Sequence, residues 1–147
     1  MISLRNFTYD DIPVLQKNGY AHKSKEELQA LIDTWNRNVY ENSYFEMFAI
    51  DNAVQAVGCA SLYRRSKSIV SCGLEVYPEY QRKGFASRAY SQLLHKAKTQ
   101  GYQIAVAQVR ADNEASIALN RRLGFEAEDY KYMNQRGDEI YYFIKCL

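Results

Sequence analysis

Hydrophobic positions recur along this chain at two periods, and the changes from one to the other mark out its elements. ISLRNF (2–7) alternates as a short strand does. Thr8 followed by YDDIPVL then supplies an N-cap, early acids and a proline tolerated in a first turn, which predicts a helix. From Ser24 the text SKEELQALIDTW combines a cap, a glutamate three residues on, and Leu28, Leu31, Ile32 and Trp35 at helical spacing, predicting a second helix. YFEMFAI (44–50) and AVGCASLYR (56–64) flank DNAVQ, whose Asp-Asn is a turn signal, and SIVSCGLEV (68–76) follows the polar RSKS. Three antiparallel strands in a meander are the simplest reading.

After Pro78 the pattern turns helical. Phe85, Ala86, Ala89, Tyr90, Leu93, Leu94 and Ala97 recur at spacings of three and four until Gly101, which predicts a helix over 82–100. IAVAQV (104–109) reads as a strand buried between two layers, and DNEASIALNRRLGF (112–125) as a capped helix closing at Gly124. EDYKYMNQ (128–135) and EIYYFIKCL (139–147), joined by RGD, make a final strand pair. The order is β-α-α-β-β-β-α-β-α-β-β, an α/β (α+β) class. The helix over 82–100 acts as a crossover, so the strands it joins should be parallel neighbours in an otherwise antiparallel sheet. A cofactor could enter where that pair splays apart.

Length and composition narrow the classes. At 147 residues the expectation is one domain, 1–147, with no linker or repeat. Hydrophobic residues at 47% and charged residues at 24% exclude disordered, collagen-like and coiled-coil chains. The net charge of +2 argues against a nucleic-acid partner. No apolar run is long enough to span a membrane and the first residues lack a signal-peptide pattern, so no membrane association and a cytoplasmic location are expected. Cys59, Cys72 and Cys146 are odd in number and lack ligand spacing; they read as reduced, mostly buried thiols. With only His22 and His95 there is no histidine-rich metal site, and no metal is expected.

One hexapeptide stands out. QRKGFA (81–86) places Arg82, Lys83 and Gly84 at the start of an amphipathic helix, where unsatisfied N–H groups and the helix dipole favour phosphate. Neither a Walker-type loop nor a dinucleotide fingerprint is present. On these six residues alone, a glycine that merely relieves a tight turn explains the pattern equally well.

Taken together, VYPEYQRKGFA (76–86) and ADNEASIALNRRLGF (111–125) resemble the GNAT N-acetyltransferase superfamily, whose cofactor loop reads Q/R-x-x-G-x-G/A and whose next strand leads into N-x-x-A/S before a terminal L-G-F. The resemblance covers residues 44 to 145 and is nearest to the branch that includes the ribosomal-protein alanine N-acetyltransferases. It implies a mostly antiparallel mixed sheet with helices on both faces and a splayed parallel strand pair. It also implies acetyl-coenzyme A (acetyl-CoA) as cosubstrate and transfer of the acetyl group to an amine of a small molecule or a protein. By that resemblance Gln81, Lys83, Gly84 and Ala86, with the intervening amide of Phe85, hold the pyrophosphate, and Arg82 and Ser87 assist. Val76 pairs main-chain groups with the pantetheine arm, and Asn113 and Ser116 bond the cofactor from the opposite wall. Asn113 as a helix N-cap and Ser116 as an ordinary helical residue remain open beside those roles. Edge-strand pairing into a homodimer is an expectation for the family.

The sequence departs from the family at its acid and base. The general-acid tyrosine after the Asn-x-x-Ser motif is Asn120, and a strand glutamate used as base in related enzymes is Gln108. Glu75 is the base candidate, acting directly or through water, with Tyr77 and Asn120 as polar partners near the sulfur; a solvated strand carboxylate, a substrate-binding charge and a base-free mechanism remain open beside that role. A backbone N–H near Val76 or Tyr77, freed by a bulge before Pro78, would stabilise the oxyanion. The acceptor pocket is expected between the first two helices and the last strand pair, with Tyr20, Trp35, Tyr40, Tyr44, Tyr130 and Tyr132 as candidate walls. The two substitutions also motivate a second reading, a non-catalytic acyl-CoA-binding module.

Overall fold

The computed structural model describes residues 1–147. Strand β1 (Ser3–Asn6) leads through a single 3-10 turn, Tyr9–Asp11, into a short helix α1 (Ile12–Lys17). Helix α2 (Lys25–Asn36) begins at the expected capping box: Ser24 Oγ accepts from the Glu27 amide at 3.1 Å, and the Glu27 carboxylate accepts from the Ser24 amide at 3.0 Å. Strands β3 (Ser43–Asp51), β4 (Ala56–Arg64) and β5 (Ile69–Val76) form the meander. A two-residue strand β2 (Val39–Tyr40), absent from the sequence reading, folds back on β3 through Glu41 and Asn42, both at positive φ.

Helix α3 (Phe85–Thr99) is the crossover to β6 (Ile104–Arg110), and α4 (Glu114–Arg122) follows. Of the expected strand over 128–135 only β8 (Tyr132–Met133) forms; a second, unanticipated fragment, β7 (Glu126–Ala127), precedes that span, and the two pair with different parts of β9 (Glu139–Cys146). The sheet order is β1-β3-β4-β5-β6-β9-β7, with β2 on β3 and β8 on β9. Every pairing is antiparallel except β5 with β6, as the crossover predicts.

The two faces carry separate cores. A cluster of 21 buried residues, among them Phe48, Leu62, Val70, Leu93 and Phe143, fills the face under α3 and α4, while eight, including Phe7, Leu15, Leu28, Ile32 and Trp35, fix α1 and α2 to the other. Arg5 fastens this second layer to the sheet edge. Its two Nη atoms donate to Asp11 at 2.9 Å each, and its Nε donates to Asp51 at 2.6 Å. Of the three free thiols, Cys72 is buried and Cys59 half-buried, but Cys146 is exposed, because it ends a strand beyond the core.

Candidate functional site

The site grows from a failure of pairing. β5 and β6 are in register only over Ile69–Ser71 and Ile104–Val106, although β5 continues to Val76 and β6 to Arg110. Beyond that point β6 stays with β9 and β5 stays with β4, so the parallel pair opens into a wedge. The Tyr77 amide donates to the Val57 carbonyl at 2.9 Å, which makes Gly58 and Val76 a non-hydrogen-bonded antiparallel pair. By alternation, the N–H groups of Leu74 and Val76 point away from β4, into the wedge.

That geometry corrects the expected source of an oxyanion donor. β5 carries no bulge; the register shift in this part of the sheet lies at Ile50/Asp51. The Tyr77 N–H is already engaged. The Val76 N–H is available because the neighbouring strand has left. The Val76 carbonyl accepts the Gln81 side chain at 3.0 Å, so Gln81 is tied to β5 rather than extended toward a phosphate.

At the open end of the wedge, Pro78–Tyr80 makes one 3-10 turn and the chain turns into α3. Arg82 (φ +63°) and Gly84 (φ +78°) both take the left-handed conformation. None of the amides from Arg82 to Ser87 donates to a backbone carbonyl, and the first turn of α3 contains no acid. Gln81 to Gly84 are exposed, and Phe85, Ala86 and Ser87 are half-buried. A row of free N–H groups at the positive end of a fifteen-residue helix, with Arg82 and Lys83 beside it, is an anion cradle. A Cβ on Gly84 would meet nothing within 4 Å, so its glycine answers to φ, not to crowding.

On the other wall, Asn113 caps α4, its Oδ1 accepting from the Ser116 amide at 3.1 Å. Ser116 is half-buried. Asn120 lies deeper. It is 1% exposed, Oδ1 accepts from the Tyr90 hydroxyl at 3.1 Å, and Nδ2 donates to the Ser116 carbonyl at 2.9 Å. The structure therefore removes Asn120 from the reacting atoms: a buried amide that satisfies a buried phenol is core. No local signal foretells this, since the partner Tyr90 belongs to another helix.

The remaining catalytic candidates come together on the α1/α2 face. Cys59 and Glu75 are cross-strand partners, with Sγ 4.0 Å from Oε2. Glu75 is exposed. Tyr77 is 2% exposed, and its hydroxyl makes no hydrogen bond within the protein. Burial, and then the charges of Cys59 and Glu75, push the Tyr77 and Tyr20 hydroxyls up from the ordinary phenol range. Burial and the Glu75 charge push the Cys59 thiol up to about 12, so it is no nucleophile at neutral pH. Of the other aromatic candidates, Trp35 packs between Phe7 and Tyr20, Tyr40 against Phe45 and Tyr63, and Tyr44 hydrogen-bonds Glu46. Tyr130, Tyr132 and Tyr142 form an edge-to-face stack, and Gln108 reaches Tyr142 Oη at 3.5 Å. Tyr142, absent from the sequence reading, is brought to Gln108 by strand register alone.

With the geometry in place, comparison with known proteins gives a consistent picture. The model described as "Acetyltransferase (GNAT) domain" matches residues 2–126. An L-methionine sulfoximine/L-methionine sulfone acetyltransferase of Pseudomonas aeruginosa is 32% identical over 103 residues, 67% of this chain and 58% of that protein. The L-amino acid N-acyltransferase MnaT of Escherichia coli is 36% identical over 50 residues, 34% of this chain and 29% of its own. The chain thus spans less than two thirds of the length of these curated relatives. Among solved structures, a ribosomal-protein-alanine N-acetyltransferase from Brucella melitensis superposes with a TM-score of 0.77 at 22% identity, covering 99% of both chains. The structure of yncA from Salmonella typhimurium with its cofactor acetyl-CoA gives 0.74 at 18% identity over 100% of this chain and 94% of its own. At those identities the likeness is one of fold.

Proposed function

Because the chain belongs to the GNAT acetyltransferase family, we propose that it is an acetyl-CoA-dependent N-acetyltransferase acting on a primary amine of a small molecule or a protein. The observation that carries this reading is the run of unpaired amides from Arg82 to Ser87, opening beside a strand whose Leu74 and Val76 N–H groups have no strand partner. A pyrophosphate fits the first feature and an amide-bearing arm, added like a strand, fits the second. Bound there, acetyl-CoA supplies a thioester carbonyl and a thiolate leaving group with a pKa near about 8.5.

The chain's own residues do the rest. Gly84, Phe85, Ala86 and Ser87 hold phosphate through their amides, and Arg82 and Lys83 add charge. Gln81 acts indirectly by bracing the loop against Val76. The Val76 N–H donates to the oxygen that becomes negative as nitrogen attacks; one such donor is worth about 100-fold to 1000-fold in rate. Glu75 accepts the proton that the amine gives up, directly or through water. The new C–N bond forms as the C–S bond breaks, and no covalent intermediate on the protein is needed. Asn113 and Ser116 face the cofactor from α4, and a homodimer through a sheet edge belongs to the same proposal.

Asn120 favours one second reading. Its withdrawal into the core leaves no acid at that position, as a non-catalytic acyl-CoA-binding module would tolerate. Thermal unfolding with acetyl-CoA, followed by thiol release in the presence of an amine panel, separates the cases. Ligand at about 100 times its dissociation constant should stabilise by roughly 2.7 kcal/mol. Gly84→Asp, which sets a carboxylate in the cradle, should abolish that shift. Stabilisation with thiol release supports the transferase; stabilisation without it supports the module; no shift at millimolar ligand rejects both.

A further inference from the structure

The end of β5 on the α1/α2 face is built from groups that are neutral or anionic. Glu75 supplies a carboxylate, Cys59 lies against it at 4.0 Å, and Tyr77 presents an unpartnered hydroxyl from a side chain that is 2% exposed. Tyr20, held edge-on to Trp35 at 6.2 Å, completes the group. No ion pair reaches Glu75, and four cations of the surrounding elements are engaged elsewhere. Lys17 of α1 bonds Glu79 at 2.8 Å, and Arg5 is shared between Asp11 and Asp51. Arg110, at the end of β6, is held by both oxygens of Asp112 at 2.8 and 3.1 Å. Arg65 lies over the Tyr63 ring at 5.0 Å and donates to Ser71 Oγ at 2.7 Å. Ser71 is four residues before Glu75 on β5, roughly 13 Å away at a strand rise of about 3.3 Å per residue.

We infer that the acceptor is a cationic amine bearing no carboxylate on the carbon attached to its nitrogen, a narrowing that rests on the N-acetyltransferase reading above. An ammonium set among Glu75, Tyr77 Oη and Tyr20 Oη finds a counter-charge and two hydroxyl acceptors. The α-carboxylate of an amino acid lies within one carbon of the nitrogen, so it is placed against Glu75, a carboxylate with which no cation is paired. Like-charge repulsion in a partly desolvated site then selects against it. The relatives named above for methionine sulfoximine and for L-amino acids carry acceptors of the other kind.

Matched pairs test it: phenethylamine against L-phenylalanine, agmatine against L-arginine, and 3-(methylthio)propylamine against L-methionine. Each is measured by thiol release from acetyl-CoA and by calorimetric binding to the protein saturated with free coenzyme A. The decarboxylated member of at least two pairs should exceed its amino acid by about tenfold or more in kcat/KM and in affinity. Tyr77→Phe should raise KM for the preferred amine about fivefold and leave kcat within about twofold, the pattern of a group that binds without reacting. Equal or better use of the amino acids overturns the inference and leaves the transferase intact; the phenols would then be donors to the carboxylate. Failure of both members of every pair to bind or react, with acetyl-CoA still stabilising the fold, overturns the inference and leaves the binding-module reading. Absence of acetyl-CoA stabilisation sinks both.

Discussion

Gly58 sits where two backbones touch. A Cβ built there would stand 2.1 Å from the Glu75 carbonyl oxygen and 3.0 Å from the Val76 Cα, and neither atom belongs to a side chain that can swing away. Gly58→Ala must therefore part β4 from β5 beside the base candidate, and it should cost about 3 kcal/mol by the overpacking rule. Gly84→Ala offers a contrast. Nothing lies within 4 Å, so only the left-handed φ is penalised, about 1 to 2 kcal/mol. Urea unfolding of the two variants should rank them in that order; equal losses would mean that β4 and β5 yield easily. The two glycines also differ in how far the sequence reveals them. Gly84 answers to its own hexapeptide, and its role as a helix-opening residue is readable there. Gly58 answers to residues on the next strand that only the register brings near. Asn120 is a third case, read as a polar group near the sulfur until its partner Tyr90, thirty positions away, places it in the core.

Among the elements, β5 carries most of the functional argument because its two edges lead different lives. Its β4 edge is paired to the end, whereas its β6 edge is paired only over Ile69–Ser71. Backbone alternation then sorts its amides: Gly73 and Glu75 face β4, while Leu74 and Val76 face the wedge. In native hydrogen exchange of the free protein, Leu74 and Val76 should exchange at least about tenfold faster than Gly73 and Glu75. Saturating acetyl-CoA should slow the first pair and leave the second nearly unchanged. Equal protection in the free protein would show that the wedge closes in solution. Elements whose stability comes from local signals were legible: the capping box of α2, the periodicity of α3 and the N-cap of α4 all lie within a few residues. The fragments β2, β7 and β8 were not, because two-residue strands have no period to read. β7 and β8 exist through the eight residues of β9 that they share.

At the scale of the whole molecule, the sheet divides two unequal cores, and the smaller one, under α1 and α2, supports the proposed acceptor face. What holds that layer to the sheet edge besides its eight buried residues is the Arg5 clamp on Asp11 and Asp51. Asp11 is 4% exposed. Burial alone raises a carboxyl pKa, but here the hydrogen bonds from Arg5 and the Thr8 amide outweigh it and hold Asp11 below its usual value. A group whose pKa is depressed by folding contributes stability above its unfolded pKa, about 3.9, and loses that contribution as pH falls through the lower folded value. Stability should therefore be nearly flat from pH 7 to 5 and decline below about pH 4. Arg5→Ala leaves a buried carboxylate without its partner, a loss of about 2 to 3 kcal/mol at pH 7 once the partial exposure of Arg5 is allowed for. That deficit should shrink as the pH falls, because protonating Asp11 removes the charge that Arg5 had balanced. Urea unfolding of both proteins between pH 3 and pH 7 checks the sign. A deficit that stayed constant across that range would show that Arg5 contributes through packing of its stem, and that the α1/α2 layer is held by its apolar contacts alone.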